Sequence, residues 1–183
     1  MTFPADRLDV AARTLVRITG TLARLCDRAE HNEGASRDVV VGAGAELRSS
    51  ALALLRDHDV NPLDAYASRL AQIEIRHPLA GAGLFDADYV VRDVKSWRGL
   101  QQAQAHHDAV YHPDVTGLAK IDQLRHYTLH LAKLAWLLQD AADGGDIGGD
   151  IANDRIPDIL VFGVKLATVC GQLLPDTPID AVP

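Results

Sequence analysis

The chain has 183 residues, 48% of them hydrophobic and 23% charged, which is enough to bury a core of its own and predicts a single domain over 1–183. The formal net charge of −7, without any Lys/Arg cluster, excludes binding of nucleic acid through its phosphates. Abundant Ala and Leu, only 5% aromatics and scarce period-two alternation exclude a sheet-built protein and predict an all-α bundle of five or six helices.

The first helix is predicted over residues 5–30, where Leu8, Ala11, Ala12, Leu15, Ile18, Leu22 and Leu25 recur at three-and-four spacing. A Gly-bearing break over 31–44 contains Val39-Val-Val41, too short for a sheet, and a second helix follows over about 45–58. Asn61-Pro62 reads as an N-cap with Pro at the first helical position, opening a third helix to about His77. Pro78 and Gly81-Ala-Gly83 end it. A polar fourth helix is expected from near Asp86 to Tyr111, stopped by His112-Pro113, and Thr116 is the expected cap of a fifth helix over 117–141. The Gly144–Asp150 stretch reads as a loose loop. A sixth helix is expected over about 152–174, before a proline-marked tail over 176–183.

No run approaches the ~20 apolar residues that span a bilayer. Met1-Thr-Phe-Pro-Ala-Asp-Arg has neither the basic start nor the apolar centre of a signal peptide. Cys26 and Cys170 lie in apolar helical runs without CxxC spacing, as thiols of a reducing compartment do. The expected location is the cytoplasm, with no membrane partner.

The chemistry-bearing residues concentrate in the last two helices. At 3.6 residues per turn, Asp122, His130 and Lys133 fall within about 40° of His126, so Asp122-Gln-Leu-Arg-His126-Tyr-Thr-Leu-His130-Leu-Ala-Lys133 carries one polar line. Imidazoles four apart have Cβ atoms ~5–6 Å apart, a workable half-site for a transition metal, or an ordinary solvated stripe. In Asp154-Arg-Ile-Pro-Asp158-Ile-Leu-Val-Phe-Gly-Val-Lys165, the residues Asp154, Asp158 and Lys165 share a narrow stripe on a helix otherwise apolar all round. Such a helix sits centrally or at an oligomer interface, which predicts a homodimer. Asp154 is placed to meet the helix dipole, whereas Asp158 needs a partner: a metal, Arg125, Lys133 or Arg155.

The segment from about 118 to 175 resembles the MazG-like all-α nucleotide pyrophosphohydrolases. Leu129-His-Leu-Ala-Lys-Leu-Ala135 looks like the first helix of that hairpin, and Asp154 to Ala167 like the second. The resemblance implies a nucleotide ligand and a divalent metal (Mg, Mn, Zn or Fe) held by His126, His130, Asp154 and Asp158, with Lys133 and Lys165 on phosphate. The departures are that His130 and Lys133 stand where the family has an acidic pair, and Arg155 where its second helix has a Glu. Magnesium prefers oxygen ligands, so either an imidazole-accepting metal serves or the site is inactive.

Two functions therefore stand open: a divergent metal-dependent nucleotide phosphohydrolase, and a non-catalytic helical binding or scaffold protein of the same ancestry. A third pattern, His77, His107-Asp108 and Asp158, resembles HD-type phosphohydrolases, and the His106–Asp114 cluster could add His107 or His112 to the site or simply complement a helix end.

Overall fold

The computed structural model describes residues 3–34, 36–76, 87–145 and 151–179, and within them every regular element is helical. In chain order these are α1 Ala5–Glu30, α2 Arg37–Arg56, α3 Pro62–Arg76, α4 Ala87–Arg92, α5 Trp97–Tyr111, α6 Pro113–Thr116, α7 Lys120–Ala142 and α8 Ile156–Val169. A π-helical turn, Ile151–Arg155, leads into α8. Among the described residues no helix is long and apolar enough to cross a membrane.

Helix α8 is the axis of the molecule: Ile156 to Ala167 are buried without exception. Its apolar circumference is thus covered within one chain, by α2, α3, α5 and α7. The hairpin expected of the last two helices is correspondingly loose. Helix α7 packs most extensively on α1, and α8 on α2. The α1 stripe behaves as its periodicity requires, with Leu8, Leu15, Ile18 and Leu22 almost fully buried against α7.

The α2–α8 crossing explains why the expected break over 31–44 shrinks to residues 31–36. Gly42 and Gly44 are helical, and Gly44 lets the two backbones approach until its own added Cβ would stand 3.1 Å from the Gly163 oxygen. Arg48 Nη1 donates to that same oxygen at 2.9 Å from a buried position.

Local signals set most of the boundaries. Asn61 Oδ1 accepts from Leu63 N and Asp64 N at 2.9 and 3.2 Å, capping α3. The continuous fourth helix expected from Asp86 is instead α4 and α5, separated at 93–96, because Ser96 Oγ accepts from Gly99 N at 3.2 Å and starts a new helix. Ala119, rather than Thr116, occupies the N-cap of α7. Helix α8 stops at Val169, five residues before the expected end, where Gly171 takes φ +69° and Gln172 N closes back on Ala167 O at 2.8 Å.

The chain beyond is anchored: Trp97 N and Arg98 N, free donors at the start of α5, reach Thr177 O and Pro175 O, both at 3.1 Å. His77, Pro78, the Gly81–Gly83 stretch and the 146–150 part of the Gly-rich loop lie outside the described residues, as does the end of the tail.

Candidate functional site

The site is built on four helices that deliver charges to one cavity beside α8. Helix α3 has an apolar face of Ala65, Tyr66 and Leu70, and Arg69 stands on it, 7% exposed. Buried there, a guanidinium must find carboxylates. It finds two, on the face of α8 and its π-helical lead-in. Arg69 Nε and Nη2 donate to Asp158 Oδ1 and Oδ2 at 2.5 and 2.8 Å, and Nη1 lies 2.6 Å from Asp154 Oδ1. Arg155 and Arg76 flank Asp154 at 3.3 and 3.7 Å.

Burial by itself lowers the Arg69 guanidinium, but the hydrogen bond and charge of Asp158, with Asp154 behind it, hold it above its ordinary value. Burial pushes the Asp158 carboxyl up while Arg69 pulls it down. Burial prevails in that balance and leaves the Asp158 carboxyl above its ordinary value, while the bidentate contact with Arg69 holds it in the ion pair.

A second buried pair lies one face further round. Lys165 Nζ is 2.8 Å from Asp108 Oδ1, and Gln104 Nε2 donates to the same carboxylate at 2.9 Å. Tyr66 donates in turn to Gln104 Oε1, so α3, α5 and α8 are tied by one polar chain. Burial alone raises the Asp108 carboxyl, but the Lys165 charge and the His107, Lys165 and His112 interactions bring it below its ordinary value. The Lys165 ammonium also faces the rings of Tyr127 and Phe162, at 5.8 and 5.7 Å from their centroids.

Between these pairs and α7 lies a cavity of about 140 Å³, whose lining includes Arg69, Asp158, Lys165, His112, His126 and His130. The His126 and His130 rings lie 4.6 Å apart between centroids, tilted by 47°, and the His130 ring stands 5.4 Å from Phe162. Burial lowers both imidazoles, His130 to about 4. After burial, the charges of His126, Lys133, Lys165 and His112 also act against protonation of His130.

The structure thus brings His126, His130, Asp158 and Lys165 to one cavity, and His112 with them. Asp154 sits behind, on Arg69. Lys133 is exposed and outside the lining, and Asp122 turns to Arg125, which also holds Glu30. The partner of Asp158 is none of Arg125, Lys133 and Arg155: Arg125 and Arg155 are engaged elsewhere, Lys133 is exposed, and Arg69 comes from 89 residues away.

The donor set does not fit a divalent metal as it stands. Arg69 occupies the space between the two carboxylates, and among the described residues no group of three or more His, Cys, Asp or Glu could hold an ion. Of the HD-like triplet, His77 is outside the described residues, His107 is fully buried with Nε2 3.6 Å from Glu74 and its ring stacked on Tyr111, and Asp158 is held by Arg69.

Arg69 and Tyr127 escaped the sequence reading, although for Arg69 the signal was present, a charge on an otherwise apolar helical stripe. Asp108 was read as part of an HD-type pattern, whereas its partners are Lys165 and Gln104.

Fold and site together define an all-α bundle in which two buried ion pairs and three histidines line one small cavity. No protein-family model matches the chain, and searches of curated proteins and of solved structures also return no match.

Proposed function

We propose that the protein is a helical binding protein whose cavity between α3, α5, α7 and α8 receives a small phosphate-type anion, free or as the end of a larger ligand, without hydrolysing it. One observation carries this reading. The cavity is lined by the imidazoles of His112, His126 and His130 and by the cations Arg69 and Lys165, whose carboxylate partners Asp158 and Asp108 share the lining. An anion there recruits the imidazole N–H groups and reverses the penalty on their protonation.

The volume, about 140 Å³, lies well below the ~300–1,000 Å³ of sites that enclose drug-sized ligands, so a nucleotide would place only its phosphate inside. The MazG-like resemblance enters as ancestry of the α7–α8 pair, with its acidic metal site replaced by ion pairs.

The metal-dependent hydrolase is the second reading, favoured by the proximity of Asp154 and Asp158 to the same cavity. It requires Arg69 to release both carboxylates. Titration calorimetry with inorganic phosphate and pyrophosphate, with and without Mn²⁺ or Mg²⁺, separates the two. Binding without metal that weakens at least tenfold in Lys165→Met and His130→Ala supports the proposal. Turnover of a nucleoside triphosphate that needs metal and is lost in Asp158→Asn overturns it.

A reducing compartment suits the free thiols Cys26 and Cys170 and keeps the cytoplasm as the proposed location. A homodimer no longer follows from α8, which is covered within the chain. The face on which to test association of copies is Leu129 and Trp136, 71% and 65% exposed on α7, by size-exclusion chromatography with light scattering of the wild type and Trp136→Glu.

A further inference from the structure

A second cavity, of about 330 Å³, lies on the other side of the molecule's α7 start and reaches the size range of small-molecule sites. Its walls are apolar: Leu25 from α1, Val40 from α2, Ile121 and Leu124 from α7, and Val169 from α8. Two cations stand on it, Arg37 and Lys120. Arg37 donates through Nε and Nη2 to the carbonyls of Cys170 and Gly171, at 2.8 and 3.2 Å, so the C-terminal end of α8 holds it in place at the cavity edge. Among the described residues neither Arg37 nor Lys120 pairs with a carboxylate.

The acids nearest in the chain are spent or turned away. Glu30 and Asp122 both bind Arg125, and Asp38 does not line the cavity. Both cations open their helices, α2 and α7, and neither N-cap residue, Ser36 or Ala119, makes a side-chain cap bond.

We propose that this cavity binds a free single-chain carboxylate of the fatty-acid type, its tail among Leu25, Val40, Leu124 and Val169 and its headgroup between Arg37 and Lys120. An apolar wall by itself would accept any apolar ligand, whereas two cations at its edge that pair with no carboxylate among the described residues select an amphipathic anion. The site is separate from the histidine-lined cavity, and its failure leaves the phosphate reading untouched.

The test uses decanoate, kept below its micelle concentration, titrated calorimetrically into the full chain. A Cys26→Ser background supplies a second readout, because Cys170 lines this cavity and its alkylation by a maleimide slows when the cavity is filled. Decanoate is expected to bind and to protect Cys170, with 1-decanol at least tenfold weaker. Arg37→Gln/Lys120→Gln should weaken decanoate at least tenfold. Ala29→Phe, which fills the cavity from a half-buried position and spares the Arg37 contacts, should abolish binding with thermal unfolding unchanged.

Absence of both heat and protection overturns the proposal, as does equal affinity for decanol. Concentration-dependent self-association that Ala29→Phe removes, without decanoate binding, overturns it in favour of a second copy of the chain.

Discussion

Arg69 grips Asp158 through two parallel hydrogen bonds, Nε to Oδ1 at 2.5 Å and Nη2 to Oδ2 at 2.8 Å, with both side chains buried. The pair joins α3 to the first turn of α8 and neutralises the charge that the sequence left looking for a metal. Its energetics are asymmetric: making such a pair gains little over an apolar substitute, whereas breaking it strands a charge.

Arg69→Met is therefore expected to cost about 3–5 kcal/mol of stability, because Asp154 and Asp158 lose their shared cation together. Arg69→Met/Asp158→Leu should recover a large part of that loss. Urea denaturation of the two variants and the wild type checks this, and a double variant no better than the single would refute it.

Chelation should leave the fold alone. With both carboxylates on Arg69, overnight dialysis against EDTA is expected to shift the unfolding midpoint by less than a degree or two. A large fall, reversed by one metal and not by others, would show an ion that displaces Arg69.

The histidines set a pH dependence of definite sign. His126 and His130 have folded pKa values below the ordinary 6.5, His130 at about 4, so they stay neutral in the folded chain while the unfolded chain takes up protons first. Stability is therefore unaffected above about pH 6.5 and falls as pH drops from 6.5 toward 4. His126→Gln/His130→Gln should flatten that part of the curve. Asp108 acts elsewhere: its folded pKa is depressed, so its contribution is present above the ordinary carboxylate value of 3.8 and disappears only below it. Thermal unfolding at half-unit pH steps resolves the two windows.

Gly163→Ala tests the α2–α8 contact. An added Cβ would stand 2.8 Å from Arg48 Cγ and 3.1 Å from both Arg48 N and Gly44 O, and two of those three atoms are backbone. A loss of about 1–3 kcal/mol is expected. Gly42→Ala in the same crossing region has open space at its Cβ and should be neutral or slightly stabilising, which makes it the control.

Helix existence was legible in this sequence because periodicity is local. The α1 stripe from Leu8 to Leu25 and the Asn61-Pro62 start of α3 follow from 3.6 residues per turn and from cap chemistry, with no knowledge of neighbours. The burial of α8 was legible too, since a helix apolar all round has nowhere else to go. Of the residues on the stripes of the last two helices, His126, His130, Asp158 and Lys165 line one cavity, whereas Asp154 and Lys133 do not.

Which charge answers which was decided by tertiary structure. Sequence proximity favoured Arg125, Lys133 or Arg155 for Asp158, but the cation with a buried path to it is Arg69, from a helix 89 residues earlier. Lys165 likewise meets Asp108 of α5. Ion pairs in a core are chosen by desolvation and by the geometry of packed helices, and neither quantity is written in local spacing. The same reason separates the two ends of the α7 line: Asp122 and His130 lie on one helical face, yet one is drawn to Arg125 and the other to the cavity beside α8.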